Sequence, residues 1–270
     1  MLKTEQRNPN STHIDVMSTA DMLAVMQQEN YNAAKAVEEV CPQIAVVIDK
    51  INERMGKGGR LFYVGCGTSG RIGVLDATEC PPTYGVSTDL VVGIMAGGNE
   101  ALAKGIEDFE DDENAGVSSI CENFVNLNDT VIGLSVAGGA AFVLGALKEA
   151  KKRGAYTVGI TCNEGTPITE LADDLIIPNT GAEVVTGSTR MKAGTAQKMI
   201  LNMISTGVMI KQKYVYENLM IHLQPSNKKL RERMTRIVCT LTGCDETFAR
   251  KTLEETDWEI LKTLEIVKNI

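Results

Sequence analysis

The chain has 270 residues, 43% of them hydrophobic, enough to bury one substantial core with room for a small extra module. A formal net charge of −8 and a pI of about 5.0 argue against attraction to nucleic acid or to an anionic membrane, so the expected partner is a small molecule. Seven cysteines without a C-x-x-C pair and only two histidines, His13 and His222, exclude the usual zinc spacings and a disulfide framework; no cofactor or metal is expected.

The opening MLKTEQRNPNST is polar, and no run of about 18 apolar residues occurs, so we expect a soluble, reduced, cytoplasmic protein. A helix is predicted from Ser18, with Asp21 placed to support the first turn as in a capping box. Cys41-Pro42 interrupts it, and QIAVVIDKINERM resumes the helical spacing until Gly58-Gly59. Five short runs rich in β-branched residues follow: RLFYVG, LVVGIMAG, DTVIGLSV, AYTVGITCN and DLIIPN. Helix-patterned stretches separate most of them. Strands alternating with helices imply an α/β fold of three layers, a parallel sheet covered on both faces.

From STRMKAGTAQKMILNMISTG the pattern is helical again, and LNMISTGVMI is apolar enough to serve as core or as an interface. Residues 228 to 270 read as two or three short helices, punctuated at Gly243. The expected organisation is an N-terminal helical extension (1–57), an α/β domain (58–225) and a small helical module (226–270), the last boundary lying in the polar QPSNKK.

Two loops could carry chemistry. In an open parallel sheet, ligands bind beyond the carboxyl ends of strands, where glycines admit the backbone and helix N-termini offer N–H groups to anions. GCGTSGR lies at such a place, with Gly65, Gly67 and Gly70 to shape the turn and Thr68 and Ser69 to supply hydroxyls. A phosphate cradle and a plain strand-to-helix turn both fit it. A dinucleotide does not, because no acid ends the following strand, VVGIMAGG. The second loop, TGSTRMKAGT, puts Ser188, Thr189, Arg190, Lys192 and Thr195 around the start of a long helix, as an anion site or as a solvated, capped helix start.

Glu79 precedes Cys80-Pro81-Pro82, which should stop its helix and hold the side chain at a turn near the glycine loop. The run Glu107, Asp108, Glu110, Asp111, Asp112, Glu113 reads as a hydrated helix start unless one acid points inward. Cys66 and Cys80 flank the loop, but with no histidine nearby to act as a base they read as small packing residues.

Taken together, TEQRNPN, GCGTSGRIGVLDATECPPTYG, AGGNEAL, EDDENAG, TCNEGTPI and TGSTRMKAGTAQKMILNMISTG resemble the N-acetylmuramic acid 6-phosphate etherases of the sugar isomerase (SIS) superfamily. The resemblance implies an SIS-type fold, a homodimer with sites near its interface, and a phosphorylated amino sugar as ligand. It also implies a reaction that yields N-acetylglucosamine 6-phosphate and D-lactate. By the family's scheme a base removes the proton at carbon 2 of the opened sugar, lactate leaves carbon 3 with help from an acid, and water adds back. The motifs ATECPPT and EDD then make Glu79 the acid and Glu110 the base. The two loops, through Gly67, Thr68, Ser69, Ser188, Thr189, Arg190 and Lys192, would hold the phosphate.

One segment departs from the family. Where etherases read ASGRTPYV, this chain reads SVAGGAAFV from Ser135 to Val143, with Gly139, Ala140 and Ala141 in place of Arg, Thr and Pro. Backbone N–H groups and Ser135 would have to supply the missing phosphate contacts. The segment also resembles the glucokinase regulatory protein, and so carries an alternative, a sugar phosphate sensor without turnover.

Overall fold

The structure, a computed structural model, describes residues 1–105 and 108–268. Helix α1 (Thr19–Glu39) starts where expected: the Ser18 hydroxyl accepts the Asp21 N–H at 3.2 Å and donates to the Asp21 carboxylate at 2.6 Å. Asp21 thus takes the hydroxyl proton rather than reaching back to the Ser18 backbone. After the break at Val40, α2 (Cys41–Met55) carries Pro42 in its first turn, where no backbone donor is needed.

Five parallel strands form the sheet: β1 (Leu61–Gly65), β2 (Val91–Met95), β3 (Thr130–Leu134), β4 (Tyr156–Ile160) and β5 (Asp174–Ile176). Their order is β2-β1-β3-β4-β5, with Leu61 opposite both Val91 and Thr130. Every residue of β1, β3 and β4 is buried, which their apolar sequences allow and which helices on both faces require. The connecting helices are α3 (Gly67–Tyr84), α4 (Gly98–Ala103), α5 (Glu113–Glu122), α6 (Ala141–Lys152) and α7 (Pro167–Leu171), followed by α8 (Lys192–Lys211). Phe62, Val64, Ile120, Val131, Phe142, Val143 and Leu147 lie at the centre of the core on one face.

The chain leaves β1 for β2 on one side and returns to β3 on the other. The carboxyl ends of β1 and β3 therefore diverge, and a crevice opens between them, the place where open α/β sheets bind ligands. This placement makes the loops after Gly65 and Leu134 the first to inspect.

Helix α3 corrects one expectation. It does not stop at Glu79 but runs to Tyr84 with Pro81 and Pro82 inside it. Proline removes donors from the helix ladder, yet its fixed φ is itself helical. The helix ends instead at Gly85, whose N–H reaches the Pro81 carbonyl at 2.8 Å and whose φ of 67° is left-handed.

By packing, residues 1–78 and 89–208 form one compact unit and residues 79–88 and 209–270 a second. The second holds an antiparallel hairpin, β6 (Val215–Tyr216) and β7 (Leu219–Met220), that the sequence pattern did not reveal. It also holds α9 (Lys228–Thr242), α10 (Glu246–Glu255) and α11 (Ile260–Lys268), packed around Met234, Val238, Leu253 and Leu264. Gly243 caps α9 at φ 75°. Among the described residues no helix is long and apolar enough to cross a membrane.

Candidate active site

The glycines after β1 are there for close approach. A Cβ on Gly70 would meet the Gly65 carbonyl oxygen at 2.6 Å, and one on Gly65 would meet the Gly70 nitrogen at 2.7 Å. Gly67, at φ +50°, takes the left-handed turn between them. The strand end and the first turn of α3 can therefore touch, and the N–H groups of that turn face outward without helical partners.

Around this turn lies a cavity of about 160 Å³ lined by Gly67, Thr68, Ser69, Glu110, Ser135 and Thr189, with Cys66 and the start of the β3 loop. Six residues singled out from sequence, drawn from four separate segments, thus meet at the crevice between β1 and β3. The volume is below the roughly 300–1,000 Å³ of clefts that engulf drug-sized ligands. It suits one end of a small polar molecule.

Ser135 is buried, and its hydroxyl oxygen accepts the N–H of Gly138 at 3.1 Å and of Ala140 at 3.5 Å. The hydroxyl proton is not consumed by either bond. Gly138 has to be glycine: its φ is +75°, and a Cβ would press on the Thr166 side chain at 2.1 Å. Gly139 is different, with nothing within 4 Å of an added Cβ.

Glu110 is exposed, in the turn before α5, whose N-cap Asp112 accepts the Ala115 N–H at 2.9 Å. The Glu110 carbonyl accepts the Phe142 N–H at 3.0 Å, which ties this turn to the first turn of α6. Helices α5 and α6 pack closely enough that a Cβ on Gly116 would meet the Phe142 carbonyl oxygen at 2.0 Å. The carboxylate is thereby carried to the pocket by a rigid pair. Glu107, from the same acidic run, lies outside the described residues.

Other candidates lie elsewhere. Glu79 is exposed on the later turns of α3, in the second compact unit, and Ser188 and Arg190 are not among the residues lining this pocket. Lys192 is buried and ion-paired with Glu29, beside a separate cleft of about 370 Å³ that also includes Asn8 and Asn10. The N-terminus of α8, expected to attract an anion, already holds one: the fully buried Glu183 carboxylate accepts the N–H groups of Lys192 at 3.1 Å and Ala193 at 2.9 Å. In the preceding loop the Ser188 and Thr189 N–H groups go to the Val185 and Gly187 carbonyls. Side chains, Thr189 above all, are what this loop presents to the pocket.

Burial first, and then the charges of Glu110 and Asp111, push the Cys66 thiol up to about 12. A neutral thiol is a poor nucleophile, which agrees with a packing role. At pH 8 iodoacetamide should therefore modify Cys66 on the order of a hundredfold more slowly than a free cysteine, as followed by peptide mapping. Labelling at the rate of a free cysteine would put a nucleophilic role back in contention.

A profile for the glucokinase regulatory protein N-terminal SIS domain matches residues 43–151, and the SIS domain profile matches residues 116–206. The chain is 53% identical over 259 residues to the N-acetylmuramic acid 6-phosphate etherase of Caldanaerobacter subterraneus subsp. tengcongensis, covering 96% of this chain and 85% of that protein. It is 51% identical, with the same coverage, to the etherase of that name from Clostridium beijerinckii. Among solved structures, phosphoheptose isomerase GmhA from Neisseria gonorrhoeae shares the fold, with a TM-score of 0.56 at 14% identity over 71% of this chain and 98% of that one. The fold is thus of the SIS type.

Proposed function

Because this chain belongs to the N-acetylmuramic acid 6-phosphate etherase family, we propose that it is a carbon–oxygen lyase that cleaves the D-lactyl ether of N-acetylmuramic acid 6-phosphate. The products are N-acetylglucosamine 6-phosphate and D-lactate, in the reuse of cell-wall sugar. The observation that carries the reading is that Glu110 lines the same crevice as Thr68, Ser69, Ser135 and Thr189. A base and a set of hydroxyls around a helix N-terminus are what deprotonation of an anchored sugar phosphate needs.

In this reading the α3 N-terminus, Gly67 and the Thr68, Ser69, Ser135 and Thr189 hydroxyls hold the phosphate. The Glu110 carboxylate takes the proton at carbon 2, next to the aldehyde of the opened sugar. The electron pair left behind forms the carbon 2–carbon 3 double bond as the carbon 3–oxygen bond breaks. Glu79, by its place in ATECPPT, is assigned the acid that protonates the departing lactate oxygen. Water then adds, its oxygen to carbon 3 and a proton to carbon 2. The cytoplasm is the assigned compartment, and the working form is assigned as a homodimer. Leu75 and Met203, about half exposed, are apolar groups that pairing would cover, whereas Ile200, Leu201 and Ile204 are spent on the core.

The curated relatives at about half identity carry the etherase name, which does not favour a sensor without turnover. The reading is tested by incubating pure protein with N-acetylmuramic acid 6-phosphate and assaying D-lactate. Release supports it; a bound, uncleaved substrate would defeat it.

The altered β3 loop gives a second test. Gly139 has room for a side chain and no left-handed strain, so Gly139→Arg should fold and add a charge-assisted contact to the phosphate. Such a contact is worth about 1.5–3 kcal/mol, and calorimetry should find N-acetylglucosamine 6-phosphate bound roughly ten- to a hundredfold more tightly. Unchanged affinity would mean that this loop does not meet the phosphate.

A further inference from the structure

Ser69 is the one pocket hydroxyl whose proton is claimed by another side chain of the protein among the bonds described here. It is buried in the first turn of α3, and it donates at 2.8 Å to Oε1 of Gln197, on α8. Gln197 is completely buried and does not itself line the pocket. Its other polar atom, Nε2, meets no acceptor. Amide donors left unpaired in the interior are uncommon, because their desolvation is not offset.

A hydroxyl has one proton. While it points at Gln197, Ser69 turns only lone pairs toward the pocket, and lone pairs repel a phosphate. Rotation of the Gln197 amide by half a turn, about a terminal torsion with two broad wells, reverses this. Nε2 then donates to the Ser69 oxygen, the orphaned donor gains its acceptor, and the Ser69 proton is released toward the ligand. Ser135 needs no such help, since its two partners are both backbone donors.

We propose that Gln197 is a positioning residue that sets the direction of the Ser69 hydroxyl, turning its amide when a phosphate enters so that Ser69 becomes a donor to it. The inference rests on the reading of this pocket as a phosphosugar site. It adds a residue that touches neither substrate nor reacting atoms.

The test is calorimetric binding of N-acetylglucosamine 6-phosphate to the full chain, with kcat, KM and Tm measured on the same preparations. Gln197→Glu keeps the shape but, once ionised, only accepts, so it holds the Ser69 proton. It should weaken binding about tenfold, raise KM by the same factor and leave kcat unchanged. Ser69→Ala should do the same, and the double variant should lose nothing more, because both remove one contact. Gln197→Met, of similar length, leaves the Ser69 proton free and should bind within roughly threefold of the parent.

Parent affinity in Gln197→Glu, losses that multiply in the double variant, or a Gln197→Met as weak as Gln197→Glu would each overturn the proposal. The last of these would mark a merely structural role. If lactate were never released but this binding pattern held, the etherase reading would fall and the positioning role would stand.

Discussion

Glu110→Gln should lower D-lactate release by about 10²–10⁴-fold while leaving the affinity for N-acetylglucosamine 6-phosphate within a fewfold of the parent. Glutamine has nearly the same volume but cannot take up a proton from carbon. The backbone bond that fixes this turn, from the Phe142 N–H to the Glu110 carbonyl, does not depend on the side chain. Binding and folding should therefore persist while proton abstraction fails. Measured kcat and calorimetric Kd separate the two, and a variant that keeps a rate near that of the parent would remove Glu110 from the base role. Loss of binding together with rate would recast it as a ligand contact.

The second large effect concerns stability. Lys192 and Glu29 are 3% and 2% exposed, and they pair across 163 positions of sequence. Removing one partner leaves an uncompensated buried charge, so Lys192→Met should cost about 3–5 kcal/mol in urea unfolding at pH 7. The double variant Lys192→Met, Glu29→Gln should regain much of the loss, because no bare charge remains.

The pH dependence follows from the carboxylate. Burial alone would raise the Glu29 carboxyl, but hydrogen bonds from Lys192, Asn10 and Asn8 and the Lys192 charge outweigh it, and the net shift is downward. A depressed carboxyl contributes stability above its unfolded pKa and loses that contribution as pH falls through the lower, folded value. In Lys192→Met the remaining Glu29 is easiest to bury when protonated. The gap between parent and Lys192→Met should thus be widest near neutrality and narrow in acid. A gap that widens in acid would contradict the pairing.

Much of this architecture was legible because local signals agreed with one another. The five runs of β-branched residues became five parallel strands, and Ser18, Val40 and Gly243 mark helix ends in the places that capping and breaking residues indicate. What could not be read depends on partners distant in sequence. Nothing in TGSTRMKAGT shows that Glu183 already fills the helix N-terminus or that Lys192 is turned inward to Glu29. The link from Ser69 to Gln197 spans 128 positions, and neither residue has a local pattern that points to the other. The double proline after Cys80 misled for a different reason. Proline removes a donor, which breaks most helices, but its φ is helical, and α3 continues to Gly85.

The central claim, that this pocket eliminates lactate by taking a proton from carbon 2, is tested most directly by running the reaction in D2O and locating deuterium in the sugar product. Elimination followed by addition of water predicts N-acetylglucosamine 6-phosphate carrying deuterium at carbon 2. Lactate released beside a sugar wholly protiated at carbon 2 would show that the ether is cut without touching that proton, and the assigned chemistry would be wrong.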